Sequence, residues 1–405
     1  MVGAVAAAEP AVSGAGAWVW PFRTKLGRLS LPPRRVRLWA VALAVIGLVP
    51  VDTALINGGS DWTAFWSAGA TVGTQDLVDP ARHIAWQSAH GVAMVDWPYP
   101  PAVAYLYAPF ALVPIWLGFV INAAIMLGLV GLAGYLAARI FDLPPRLAVL
   151  LAFAWTPSTA GAVIGQNAPL AVFLALWAID ALRRDEQLEA GLACGLMMYK
   201  PSLAVPLIGL LMLRRLWRSV AVAGVVVAAG YLISVPAAAG DWGWPAAWWN
   251  GLQPWLAQNL IGNADKAISI PGLIGRLQTG AIPDLVAAAL VLLSLRGLVR
   301  APIVEAASAA CLLTLAIGPR VWGYEAGLML PILAWAIAGG LREPWRTRLV
   351  FLVVPLGLCW LVSYYTVVSG LALVVAAATA MWLWRWRPLG PDPTLAQDSR
   401  ATASA

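Results

Sequence analysis

Asp61 stands in the run Gly-Gly-Ser-Asp-Trp-Thr-Ala-Phe-Trp, directly after an apolar stretch. A carboxylate there has two readings. It is a helix cap, with Ser60 or Asp61 satisfying free backbone amides, or it is a base that takes the proton of an attacking hydroxyl at a membrane face. Lys200 is one of only three lysines and falls inside Gly-Leu-Met-Met-Tyr-Lys-Pro-Ser-Leu-Ala-Val. A lysine in such sequence is costly unless it snorkels to an interface or meets an anion. Phosphate is the anion that would make it functional. Arg320 and Glu325 flank Trp322 and Tyr324 between two apolar runs. They read as a local ion pair, or as a cation for a phosphate and a carboxylate for a hydroxyl.

Three weaker signals accompany these. Gly165-Gln166-Asn167 separates two apolar runs. It reads as a turn, or as a place where Gln166 and Asn167 hold a polar ligand such as a sugar hydroxyl. Tyr99-Pro100-Pro101 reads as a helix start, since proline suits the first turn, and as part of a cavity wall. Lys266 and Arg276 are weaker cation candidates for a donor phosphate in the loop 239–281, where plain solvation is the simpler account. The two histidines, His83 and His90, and the cysteines Cys194, Cys311 and Cys359 show no metal-ligand spacing. No metal and no cofactor is expected. The cysteines read as small buried thiols.

The elements that position these residues follow from composition. The 405 residues hold 26 basic and 19 acidic side chains, 11% charged, against 61% apolar. An ordinary soluble protein carries roughly 25% charged residues, so this chain lacks the polar surface a soluble fold of its size needs. Its mean hydropathy is +0.78. Its apolar runs approach the roughly 20 residues that cross a bilayer. The expected fold is an all-α, polytopic transmembrane helical bundle of about ten to thirteen spans. Soluble enzymes, disordered chains, disulfide scaffolds and nucleic-acid binders are excluded as classes.

The net charge of +7 is concentrated in residues 1–37, which hold Arg23, Lys25, Arg28, Arg34, Arg35 and Arg37 against Glu9. That tail precedes the first apolar span, 38–56, and orients the N-terminus to the cytoplasm, near anionic membrane lipid. A transmembrane domain over 38–386 follows, then a disordered tail, 387–405, rich in Pro, Ala and Ser. Two outer loops, 57–98 and 239–281, interrupt the domain. The first is net acidic and long enough to carry structure of its own. Trp62, Phe65 and Trp66 share one helix face there, which is expected to lie flat at the membrane surface as part of a short amphipathic helix. The remaining spans are expected at 99–113, 115–138, 147–163, 167–182, 188–204, 205–213 (a short return), 217–238, 282–299, 302–318, 325–341, 347–366 and 369–386. Arg183/Arg184, Arg214/Arg215/Arg218, Arg342/Arg346/Arg348 and Arg385/Arg387 mark cytoplasmic turns. The side of 139–146 stays open.

Taken in order, these motifs resemble a known family. Asp-Trp-x-x-Phe-Trp after one span is followed by Tyr-Pro-Pro, Gly-Gln-Asn, a double-Arg turn, Ala-Gly-Leu-Ala-Cys-Gly-Leu-x-x-x-Lys-Pro and Arg-Arg-x-x-Arg. Over roughly 38–385 the chain resembles the polytopic GT-C glycosyltransferases, specifically glycosyltransferase family 87. That family includes polyprenol-phosphate-mannose-dependent alpha-mannosyltransferases of the cell envelope. The resemblance implies a bacterial plasma-membrane enzyme whose active site faces outside. It implies a polyprenyl-phosphate-sugar donor, with mannose preferred, and a lipid or glycan acceptor. Asp61 stands at the position of the general base, with Lys200 and Arg320 as cations for the donor phosphate. Members tend to carry Asp or His near the position of Glu325, after a Ser-Pro or similar motif, where this chain has Gly318-Pro319 and Glu325. The alternative class is a transporter or flippase of a lipid-linked sugar, which would share the spans and the lysine.

Overall fold

The computed structural model describes residues 61–262, 267–275, 280–318, 321–340, 374–380 and 382–383. The basic tail, the first span, the C-terminal tail and the span 347–366 lie outside the described residues. So do Lys266, Arg276, Arg320 and Cys359.

Apolar sequence without interior breaks makes the long helices. Ile115–Phe141 (α3) and Trp217–Ala237 (α9) contain 27 and 21 residues, and Ile282–Arg300 (α12) contains 19. At about 1.5 Å per residue, each reaches close to or beyond the roughly 30 Å hydrocarbon core of a bilayer. Their outward faces carry exposed Ile121, Ile125, Leu132, Val225, Leu232, Leu285, Leu292 and Leu293, as surfaces in contact with lipid do. Among the described residues these three helices qualify alone as spans, and one bent pair adds a fourth. That pair is Pro145–Ala154 (α4) and Thr156–Val163 (α5), bent by 61°. The break falls at Trp155, two residues before Pro157, whose ring excludes an uninterrupted helix.

The other helices are shorter. Before α3 come Trp62–Thr71 (α1), Pro80–Ala89 (α2) and two 3-10 helices, Pro101–Leu106 and Ala108–Leu112. After α5 come Ala168–Arg183 (α6), Gln187–Met197 (α7), Pro201–Leu213 (α8), α9, Trp244–Gly262 (α10) and Ile270–Gly275 (α11). After α12 come Ile303–Ile317 (α13), the 3-10 helix Gly323–Met329 and Leu330–Gly340 (α14). No strand occurs among the described residues. A single bridge pairs Ala267 with Trp322. The fold is an all-α polytopic helical bundle.

Several boundaries differ from expectation. The segment 99–113 forms two 3-10 helices, because Pro100, Pro101 and Pro109 deny an α-helix its amide donors. The expected span 188–204 ends at Met197, and Pro201 starts α8, so 205–213 is no separate return but the body of α8. The interval 239–281, expected as an outer loop, holds two helices, α10 and α11.

The core is made of α6 and α13 with their neighbours α3, α5, α7 and α8. Small residues bring the backbones close, the packing mode open to helices that gain no hydrophobic drive against lipid. Gly191 and Gly195 of α7 lie on Ser219 and Ala223 of α9. A Cβ on Gly195 would come within 2.7 Å of the Val226 side chain. At one end of the bundle, buried Asp180 of α6 pairs with Arg183 at 3.7 Å, Arg184 at 3.1 Å and Arg139 of α3 at 3.5 Å. This puts Arg139, whose side was open, beside the Arg183/Arg184 turn.

Candidate active site

Asp61 occupies the residue before α1, yet its side chain makes no cap hydrogen bond. The carboxylate turns away to the α5–α6 connection, where its Oδ2 accepts from Gln166 Nε2 at 2.7 Å. Gly165 makes this contact possible. Its φ of +85° is left-handed, which glycine adopts freely. A Cβ there would fall 2.6 Å from Trp62 Cβ and 2.8 Å from Trp62 N. The turn therefore sits directly against the residue that follows Asp61.

The network continues inward. Gln166 Oε1 accepts from the Tyr99 hydroxyl at 3.2 Å, and Asn167 Oδ1 lies 3.3 Å from the same hydroxyl. Tyr199 donates to the Asn167 carbonyl at 2.9 Å, and its ring stacks with that of Tyr99 at 6.4 Å. Asn167 is buried, and its Nδ2 lacks a hydrogen-bond partner among the described residues. Buried polar groups are normally paired. Asn167 thus offers a donor next to the Tyr99 hydroxyl.

Lys200 lies over the Tyr99 ring. Its Nζ sits 5.9 Å from the Tyr99 ring centroid and 5.4 Å from that of Tyr324, within cation–π range. Its partner is Glu325 Oε1, in an ion pair where the lysine side chain is 15% exposed and the glutamate 1%. Neither snorkelling nor a local pairing of Glu325 with Arg320 is needed to account for this lysine and this glutamate. Glu325 is held by its own turn, since Trp322 N donates to Oε2 at 2.8 Å. The 3-10 helix carrying Glu325 packs on α5, and Trp155, at the break just before α5, donates from Nε1 to the Ala326 carbonyl at 2.8 Å.

Four segments that are far apart in sequence thus converge around Tyr99. Two bring a carboxylate and the amide that holds it, and the other two bring a buried ammonium and its carboxylate. Of the residues expected in the site, Asp61, Tyr99, Gln166, Asn167, Lys200 and Glu325 form this constellation. Arg320, Lys266 and Arg276 lie outside the described residues. Sequence reading missed Tyr199 and Tyr107. Tyr199 immediately precedes Lys200, the one usable signal for it. Tyr107 joins the aromatic cluster around Phe65, 4.7 Å between centroids, and was hidden in a run read as an ordinary span.

The aromatic face of α1 is a correction. Trp62 and Phe65 are 0% and 1% exposed and pack inward on Tyr107, Phe110, Trp97 and Tyr99. The indoles of Trp62 and Trp66 donate to the Ile115 and Val113 carbonyls at 2.9 and 3.2 Å. The aromatic face of α1 is therefore packed against protein and is not the face presented to a membrane surface. Its aromatics gain more from a packed aromatic core and satisfied indole donors than from an interface. Among the described residues, no three His, Cys, Asp or Glu side chains converge as a metal site would require.

The fold and this constellation define an integral-membrane helical protein with a polar site inside an apolar bundle. The family model described as glycosyltransferase family 87 matches residues 97–319, more than half of the chain, and the chain belongs to that family. It is a membrane glycosyltransferase. Searches among curated proteins and solved structures return no match. Tyr99, Gln166, Asn167 and Lys200 fall inside the matched residues. Asp61 and Glu325 fall outside them and join the site through the hydrogen bonds and ion pair just described.

Proposed function

We propose that the protein transfers a sugar from a polyprenyl-phosphate-sugar donor to a hydroxyl of a lipid or glycan acceptor, with Asp61 as general base. The observation that carries this reading is the Asp61 carboxylate. One oxygen is held by Gln166, while Oδ1 takes no hydrogen bond among the described residues. A fixed carboxylate with one open oxygen is what an acceptor hydroxyl needs. The acceptor proton passes to Asp61 Oδ1 as the acceptor oxygen attacks the anomeric carbon. The bond from that carbon to the phosphate oxygen breaks, and polyprenyl phosphate leaves with the electron pair. A single displacement inverts the anomeric centre, so a β-linked donor yields an α-linked product.

Lys200 supplies positive charge for the departing phosphate. Glu325 keeps that ammonium neutralised and positioned when no phosphate is bound, and the donor phosphate competes with it. Mannose is the sugar implied by the family resemblance. The basic tail before the first span supports a cytoplasmic N-terminus, which puts residue 61, one span later, at the outer face of a bacterial plasma membrane.

The test uses the purified full-length protein with labelled polyprenyl-phosphate-mannose and candidate lipid and glycan acceptors. Asp61→Asn abolishes transfer and retains donor binding. Full turnover by that variant overturns the mechanism. Donor translocation across vesicles without transfer would identify a flippase instead.

A further inference from the structure

A buried polar network joins the helix that follows Asp61 to the segment that carries Tyr99. Its members are Ser67 of α1 with His83 and Gln87 of α2, each no more than 1% exposed. Gln87 Nε2 donates to Ser67 Oγ at 2.8 Å and to the Val95 carbonyl at 2.9 Å, and its Oε1 accepts from the Val95 amide at 2.8 Å. Ser67 follows Asp61 by six residues, and Val95 precedes Tyr99 by four. Both arms of the network therefore lead to the site.

Backbone groups fix almost every role in it. A carbonyl accepts and an amide N–H donates, so Val95 settles which end of the Gln87 amide is which. The Asp76 carbonyl lies 3.1 Å from His83 Nδ1, so Nδ1 carries a hydrogen. Nε2 of the neutral ring is then an acceptor, and Ser67 Oγ lies 2.9 Å from it. The group left free to choose is the Ser67 hydroxyl. It has a single hydrogen and two close acceptors, His83 Nε2 and the Thr63 carbonyl at 2.7 Å, with the Ala64 carbonyl further off at 3.3 Å.

The protonation state of His83 decides the choice. Beside a neutral ring, Ser67 must donate to Nε2. Otherwise two lone pairs face each other in a dry interior, a failure that costs about 1–3 kcal/mol. The Thr63 carbonyl loses little, because it lies within α1 and accepts from the helix backbone. When a proton from solvent arrives on Nε2, the bond runs the other way. Nε2–H donates to Oγ, and the hydroxyl hydrogen turns to the Thr63 carbonyl, the ordinary i−4 acceptor of a helical serine. Gln87 keeps its bond to Oγ in both states, since that oxygen has two lone pairs. The neutral state thus ties α1 to α2 through the serine proton, and the charged state returns that proton to α1.

The charges around the ring come from two carboxylates. Asp76 precedes α2, and Asp96, on the lead-in to Tyr99, lines the narrow gap beside the imidazole. On α2 itself, Arg82 pairs with Asp79 at 3.6 Å. Towards the ring α1 presents Ser67, and α10 lines the same gap with Trp248 and Leu252, none of them charged. Burial favours the neutral ring, so the reversed bond belongs to acid pH.

We propose that Ser67 and His83 are positioning residues for the Asp61–Tyr99 site, joined by a hydrogen bond whose direction reverses when the imidazole takes up a proton. The positioning role rests on the transfer reaction proposed above. The reversible bond does not.

The full-length protein in detergent, labelled with ring-15N histidine, tests this by NMR. The chain has two histidines, and His90→Gln removes the second signal. At pH 7.5 the His83 ring is expected to be neutral with its hydrogen on Nδ1, the minor tautomer of free histidine. Acidification is expected to protonate both nitrogens. In transfer assays, wild-type kcat is expected to fall roughly 10-fold across the same titration, at the low end of what misplacing a reacting group costs, with donor KM unchanged. His83→Gln and Ser67→Ala, checked for folding by gel filtration and circular dichroism, are expected to lose that dependence. A hydrogen on Nε2 at pH 7.5 overturns the reversible bond. A kcat profile that His83→Gln leaves unaltered overturns the positioning role. If Asp61→Asn still turns over and its kcat still follows the His83 titration, the base assignment fails and the positioning network stands.

Discussion

Asp61 accepts a 2.7 Å hydrogen bond from the Gln166 side-chain amide, 105 residues further along the chain. Gln166 in turn accepts from Tyr99, so its amide cannot rotate without losing a bond at each end. Gln166 is therefore a positioning residue for the carboxylate. Gln166→Leu is expected to lower kcat roughly 10- to 100-fold, the scale of a misplaced reacting group, with donor KM nearly unchanged. A donor KM that rises with kcat constant would make Gln166 a binding residue instead.

The Lys200–Glu325 pair is nearly sealed from water. Removing one partner leaves the other as an uncompensated buried charge, at a cost of about 3–5 kcal/mol. Lys200→Met and Glu325→Leu are each expected to lower the thermal unfolding midpoint in detergent. The double substitution is expected to recover much of that loss while transfer stays impaired. A double variant as unstable as the worse single one would show that the pairing is not the source of the penalty.

Gly165 combines a left-handed backbone with contact on Trp62. Gly165→Ala must strain the turn or push α1 away from Gln166. A stability loss of more than about 1 kcal/mol is expected, together with reduced kcat. Both are read from one preparation by thermal unfolding and turnover.

His83 gives a pH dependence with a definite sign. Burial holds its imidazole below the ordinary value of 6.5, against smaller opposing contributions from the Asp76 carbonyl and carboxylate. Above pH 6.5 both folded and unfolded chains hold it neutral, and its contribution to stability is fully present. As pH falls below 6.5 the unfolded chain takes up a proton and the folded one resists, so stability declines until the folded value is reached. The slope is at most about 1.4 kcal/mol per pH unit. Unfolding midpoints measured between pH 7.5 and 5.5 are expected to fall more steeply for the wild type than for His83→Gln.

Asp180 anchors three arginines while itself only 1% exposed. Asp180→Asn is expected to destabilise the bundle without altering donor or acceptor KM, since no site residue touches it. A changed KM would tie this end of the bundle to the reaction.

Much of this was legible in residue order alone. Scarce charge and long apolar runs dictate a helical membrane bundle, because backbone in lipid must satisfy its own hydrogen bonds. The same scarcity makes Asp61, Lys200 and Glu325 conspicuous, since a charge inside apolar sequence is retained only with a partner or a task. What residue order could not show is who those partners are. A helical period tells which side chains share a face, not which distant faces meet. Only tertiary packing sets Lys200 against Glu325 and turns Asp61 from a helix cap toward Gln166. It also folds the aromatic face of α1 inward, because buried indoles find carbonyls on α3 and its lead-in that one helix viewed alone cannot supply.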